Sequence, residues 1–469
     1  MTDIHFDSLT SVARQIETKA LSPVELTQSM LDRIARIDGQ LNSYATVTAE
    51  LAMQQAKEAE QEILAGNYRG AMHGIPVAVK DLCYTKDIAT QGGLKVRRGF
   101  VPDHDSTVVA RLAAAGSVLL GKLNLTEGAL SAYNPEFPIP VNPWNERLWS
   151  GVSSSGSGVA VAAGLCFAAI GTDTGGSIRY PAMANGIVGL KPSYGRVSRY
   201  GVLPLAESLD HVGPMARTVA DAVHMFAVIA GHDTNDPSAM QDSVPAIDDC
   251  LVANLQGLRI GIDERYLVTG TDAGLVTAIR EAAKVLESLG CVVVDVSMPE
   301  EGPMDYRNLW LPLTGYEAFQ AHREFYPARA GDYGGYLASV LEMGRTITGE
   351  EYDEAKKRRA ESNGRFVSEL EKVDAVLCPS GGMVFEVDAA PQYGDADAMK
   401  AVVKNFQGQF TIPADLAGTP TLSVPCGFND KGWPYVMQLL GRQASEQVLC
   451  RIGHAYQQAT SWHTRHPTI

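Results

Sequence analysis

The sequence predicts an α/β fold: a large mixed, mostly parallel twisted sheet flanked by helices. Three observations predict it. From Gly74 onward, short apolar runs alternate with helical stretches rich in small residues, the spacing of strands joined by crossover helices. A periodic helix over Thr271–Leu289 lies between two such runs, Arg259–Ile262 and Val292–Val296, as in a parallel crossover unit. The composition, 45% hydrophobic and 20% charged over 469 residues, is that of a globular chain and excludes disorder, collagen and coiled coil.

The elements follow in order. Residues 1–65 read as helices packed on the core. Ser22-Pro23-Val24-Glu25 has the form of a capping box with proline at the first helical position. Leu26, Met30, Ile34 and Ile37 then mark one buried helix face. Ala49–Ala65 is a second periodic helix, ended by Gly66-Asn67. Residues 66–469 form the main domain. Ile75–Val79, Val118–Leu120, Cys166–Ile170 and Ala375–Leu377 read as strands, and Val108–Ala115 and Val159–Gly164 as helices. Residues 303–345 crowd eight aromatic side chains, from Tyr306 and Trp310 to Tyr336, into a helical insert. Such an insert packs a small core of its own or walls an apolar substrate pocket.

Charge and cysteine usage narrow the function. The formal net charge is −15, which repels phosphates and anionic headgroups, so neither nucleic acid nor a membrane surface is the expected partner. Seven scattered cysteines show no CxxC and no paired spacing, which points to a reducing, cytoplasmic setting without disulfides. No signal core opens the chain, and no run of about 18 apolar residues suits a membrane span. No metal-ligand spacing and no cofactor fingerprint is present.

The chemistry concentrates in two Gly/Ser loops. One is Ser150-Gly-Val-Ser-Ser-Ser-Gly-Ser-Gly158; the other is Gly171-Thr-Asp-Thr-Gly-Gly-Ser177-Ile-Arg179. One helix and one strand separate them, which brings both to the same sheet edge. Glycines let backbone N–H groups converge on an anion, either a phosphate or the oxyanion of a tetrahedral intermediate. A serine beside such a nest needs a base. None of the ten histidines lies in these loops, and no GxSxG elbow occurs. Lys80, at the end of the apolar run Gly74–Val79, is the base candidate, since burial favours the neutral amine.

These segments resemble the amidase signature family of serine hydrolases. Gly74–Asp81, Ser150–Gly158 and Gly171–Arg179 carry the likeness, and Gly189–Arg196, Ser208–Pro214, Asp374–Ser380, Pro413–Gly427 and Gln438–Gly441 continue it in order. The resemblance implies a Ser–cisSer–Lys triad with Ser177 as nucleophile, Ser153 as relay and Lys80 as base. It implies an oxyanion hole from the N–H groups of Thr174, Gly175, Gly176 and Ser177. Ser154, Ser155 and Ser157 are expected to bond local backbone or cap the next helix, and Asp173 to hold the loop with Arg179. Val152 and Ser155 stand where the family usually has glycine, which puts the loop's backbone shape in question.

The expected activity is hydrolysis of small aryl or alkyl amides through an acyl-enzyme, with esters or carbamates as side substrates. No cofactor is implied, and a homodimer is left open. Gly128, Ala129 and Leu130, with the 303–345 insert, are the candidate pocket walls. The alternatives are the amidotransferase component that works on misacylated tRNA in a complex, and a non-catalytic phosphate- or nucleotide-binding protein.

Overall fold

The computed structural model describes residues 4–469. Eleven strands form one sheet. In chain order they are β1 (Tyr44–Val47), β2 (Pro76–Lys80), β3 (Val118–Leu123), β4 (Ala168–Asp173), β5 (Val188–Lys191), β6 (His211–Ala216), β7 (Arg259–Ile262), β8 (Val292–Asp295), β9 (Ala375–Pro379), β10 (Thr421–Phe428) and β11 (Pro434–Leu440). Their order across the sheet is β1-β3-β2-β4-β6-β5-β10-β11-β9-β7-β8.

The sheet is mixed and helix-flanked, as the sequence predicts, but its parallel share is smaller than expected. β3–β2, β2–β4, β9–β7 and β7–β8 are parallel. The other six pairings are antiparallel. Strand–helix alternation reveals only strands joined by crossovers, and the six strands read from the sequence are those with a parallel neighbour. The other five carry weaker signals. β6 contains Gly213 and Pro214, β10 contains Pro425 and Gly427, and β5 has four residues, one of them Gly189; proline and glycine demote a strand. β1 sits inside the stretch read as wholly helical and pairs with β3 as the sheet's edge.

The helices match closely. Pro23–Leu41 starts at Ser22, whose hydroxyl accepts from Val24 and Glu25 N–H. The reciprocal bond from Ser22 N–H to the Glu25 side chain is absent among the described residues, and the Ser22 hydroxyl also donates to Glu60. Ala273–Ser288 crosses between β7 and β8. Pro303–His322 and Gly335–Thr346 form the aromatic insert. All seven cysteines are free and buried. Among the described residues, no helix is long and apolar enough to cross a membrane.

Two features position the centre. β2 and β4 are parallel neighbours, with Val79 beside Ile170, so Lys80 and the loop after Asp173 emerge at one edge. The helix Ser155–Ala162 is buried at all eight positions. A Cβ on its Gly156 would lie 2.5 Å from the carbonyl oxygens of Asn124 and Ser43, so only glycine lets the helix pack this closely.

Candidate active site

Lys80 closes a strand that is buried along its whole length and is itself fully buried. Its Nζ lies 2.7 Å from Ser153 Oγ, 2.9 Å from Ser154 Oγ and 2.8 Å from Thr172 Oγ1. Burial pulls its pKa down from 10.5 to about 7, against the opposing influence of Cys83, Asp173 and Asp210. A large fraction of the amine, about half, is therefore neutral near pH 7, with three hydroxyl oxygens around it.

The serine loop turns at Gly151, whose φ is +84° and whose Cβ would stand 2.4 Å from Pro181 Cα. The Val152–Ser153 peptide is cis. Neither Val152 nor Ser155 has positive φ, so the substitutions for glycine sit where an L side chain fits. Ser154 N–H donates to Ser177 O at 3.3 Å, joining the two loops.

The second loop is built around Asp173. Its carboxylate accepts Gly176 N–H at 2.5 Å, Ile178 N–H at 2.9 Å and the Arg179 guanidinium at 2.9 and 3.0 Å. Burial alone would raise its pKa, but the Arg179 charge and these donors hold it well below the usual carboxylate range. Arg179 also reaches Asp415 at 2.6 Å and Thr411 O at 2.7 Å. Thr174 Oγ1 donates to Asp210 at 2.6 Å, and Trp310 Nε1 donates to Thr174 O at 2.7 Å. Ser177 is half-buried and lines a cavity of about 410 Å³ together with Thr174, Gly175, Trp310 and Tyr336. Among the described residues, no histidine lines it.

The chain as a whole has relatives among known proteins. The family described as Amidase matches residues 25–450. The chain belongs to the amidase family. AmiD of Mycobacterium tuberculosis (strain ATCC 25618 / H37Rv) is 42% identical over 464 residues, covering 98% of this chain and 96% of that one. A component of the glutamyl-tRNA(Gln) amidotransferase of Thermosynechococcus vestitus is 37% identical over 482 residues, covering 97% and 98%. The solved peptide amidase of Stenotrophomonas maltophilia superposes with a TM-score of 0.85 at 32% identity, covering 98% of both chains.

In this amidase-family chain, the sequence-derived site residues separate into two groups. Lys80, Ser153, Thr174, Gly175 and Ser177 gather at the cavity or directly behind it. Ala129 and Leu130 line the cavity too. Gly176 and Gly128 do not. The Gly176 N–H is taken by Asp173, so it does not point at an oxyanion. Gly128 N–H donates to Gly92 O, and a Cβ on it would meet Leu337 of the insert at 3.1 Å and Leu94 at 3.5 Å. Among the described residues, the N–H groups of Thr174, Gly175 and Ser177 have no such partner.

Sequence reasoning missed two contacts of Lys80. Ser154 caps nothing; its Oγ donates to Thr172 O and accepts from Thr172 N and Lys80. Thr172 completes the set. The signal was the register of β2 and β4, which sequence alone does not reveal. Ser155 and Ser157 instead bond Tyr133 and Ile170 O. Within the insert, Tyr326, Tyr333 and Tyr336 pack in a cluster shared with Leu82, Leu94 and Leu203 of the rest of the chain, and Trp310 and Tyr336 also line the cavity.

Proposed function

We propose that this chain hydrolyses amides through an acyl-enzyme on Ser177. The observation that carries the reading is the buried Lys80 amine, 2.7 Å from Ser153 Oγ and one loop away from the cavity-lining Ser177. Ser177 Oγ attacks the amide carbonyl carbon while its proton passes to Ser153, whose own proton passes to Lys80. The developing oxyanion is met by the N–H groups of Thr174, Gly175 and Ser177. Collapse breaks the C–N bond, and the leaving nitrogen takes the proton back through Ser153. Water then attacks the Ser177 ester, and the same relay takes its proton and restores Ser177.

The cavity suits a substrate with an aryl or alkyl body, since Trp310, Tyr336, Met304, Met399, Phe406 and Ile412 line it. Esters and carbamates present the same carbonyl. Labelling with a fluorophosphonate tests the reading: an adduct on Ser177, lost in Ser177→Ala and slowed in Ser153→Ala and Lys80→Met, is expected. Absence of any adduct, with no ammonia released from phenylacetamide, overturns it.

A second reading is transfer of glutamine-derived ammonia within a complex. It rests on the likeness to the glutamyl-tRNA(Gln) amidotransferase component. Glutaminase activity that exceeds hydrolysis of aryl amides would favour it.

A further inference from the structure

We propose that the substrate carries an anionic group, a carboxylate, at the end of its apolar body away from the reacting amide, and that Arg307 and Lys404 receive it. The inference rests on the amidase reading above, in which the amide carbonyl sits at Ser177. The chain as a whole is acidic, with 54 Asp and Glu against 39 Lys and Arg. The cavity reverses that balance: Arg307, Lys400 and Lys404 line it and, among the described residues, no Asp or Glu does. An acidic protein with one carboxylate-free, cation-bearing pocket has an electrostatic preference built into that pocket.

The three cations are not equivalent. Lys400 is exposed and paired with Asp397 at 2.6 Å, one turn away on its own helix. Lys404, which is exposed like Lys400, and Arg307 have no carboxylate within ion-pair distance among the described residues. Arg307 is half-buried, and its guanidinium donates to Tyr336 Oη at 3.2 Å. That contact orients the planar fork and leaves other N–H donors for a two-toothed grip on a carboxylate. Arg307 stands three residues before Trp310, so one helix face presents the cation and the indole that holds Thr174 O. Met304, Met399, Phe406 and Ile412 line the same cavity. In this proposal the amide is held at the Gly/Ser loops and the anion at Arg307.

Two matched pairs of probes test this. In the first, 4-(carboxymethyl)phenylacetamide is compared with 4-isobutylphenylacetamide, where the isobutyl group matches the carboxylate arm in shape without its charge. In the second, the same two substituents are placed on the aniline ring of an acetanilide, so the anion is carried by the amine side. Steady-state kcat/KM is measured at low ionic strength, and binding to the Ser177→Ala protein is measured by calorimetry. The carboxylate member is expected to be preferred by about tenfold in one pair. The preference should shrink in high salt, fall to near unity in Arg307→Gln, and survive largely in Arg307→Lys. Equal handling of charged and neutral members in both pairs, with hydrolysis intact, overturns the inference and leaves the amidase reading standing. A preference that persists in Arg307→Gln also overturns it. If no probe is hydrolysed, calorimetry decides: Arg307-dependent binding of the carboxylate upholds the anion site while the amidase reading fails, and no heat with any probe at about 5 mM overturns both.

Discussion

Lys80 Nζ and Ser153 Oγ are 2.7 Å apart, in a pocket of hydroxyls that admits no carboxylate contact to the amine. An ammonium there is desolvated without a directly bonded counter-charge, which is why its pKa falls to about 7. The catalytic consequence is a pH profile. Below about pH 7 the amine is protonated and cannot accept a proton. The kcat/KM value for a neutral amide is expected to rise about tenfold per pH unit up to about 7 and then level. A profile flat from about pH 5 upward would remove lysine as the base.

The same shift has a stability consequence of the opposite kind. A lysine whose folded pKa lies below its unfolded value binds fewer protons when folded. Its burial therefore costs stability fully below about pH 7, and the cost fades as pH rises from 7 towards 10.5. Lys80→Met should be inactive yet more stable than the parent at pH 6, by a few kcal/mol at most. The gain should be smaller at pH 9. Urea midpoints at the two pH values check both the sign and the trend.

Arg179 joins Asp173 and Asp415 with all three side chains fully buried. Removing the cation leaves two carboxylates without their shared partner. Arg179→Met is expected to lose about 3–5 kcal/mol or fail to accumulate as folded protein. A loss under about 1 kcal/mol in urea denaturation would mean that the pair does not hold the loop.

Gly176 has φ +132°, and a Cβ there would lie 2.4 Å from Tyr180 Cε2. An alanine must twist the backbone or push the ring away, and both move Ser177. Gly176→Ala should lower kcat/KM by about a hundredfold or more and reduce Tm. Wild-type rates of fluorophosphonate labelling in the folded variant would show that the loop tolerates a side chain.

Local sequence alone leaves Lys80 and the two glycine loops with other uses, a strand-end cation and a phosphate nest, and it is the resemblance that singles out Lys80, Ser153 and Ser177. The structure then brings Lys80 within 2.7 Å of Ser153 Oγ. What stays hidden depends on register and on which way a backbone group points. Gly176 looks like an oxyanion donor in sequence, but its N–H is turned to Asp173. Ser154 looks like a cap, but the parallel pairing of β2 with β4 turns it onto Lys80. The sheet shows the same limit. β2, β3 and β4 announce themselves through crossovers, while β6 and β10, interrupted by Pro214 and Pro425, are recognisable only from their antiparallel neighbours.

Trp310 offers the sharpest separation of packing from positioning. Its indole rests against Gly175, where a Cβ would meet Cε2 at 3.1 Å, and its N–H holds Thr174 O at 2.7 Å. Thr174 is thereby fixed from two sides, by Trp310 at its carbonyl and by Asp210 at its hydroxyl. Fixing that carbonyl sets the plane of its own peptide unit, whose N–H belongs to Gly175, one of the proposed oxyanion donors. Trp310→Phe keeps an aromatic ring in the cavity wall but deletes the donor. It should lower kcat by about tenfold while changing KM by less than about threefold, since transition-state contacts suffer more than ground-state packing. Trp310→Ala removes both and should raise KM as well. A Phe variant with the parental kcat would show that the hydrogen bond to Thr174 does not orient the oxyanion donors.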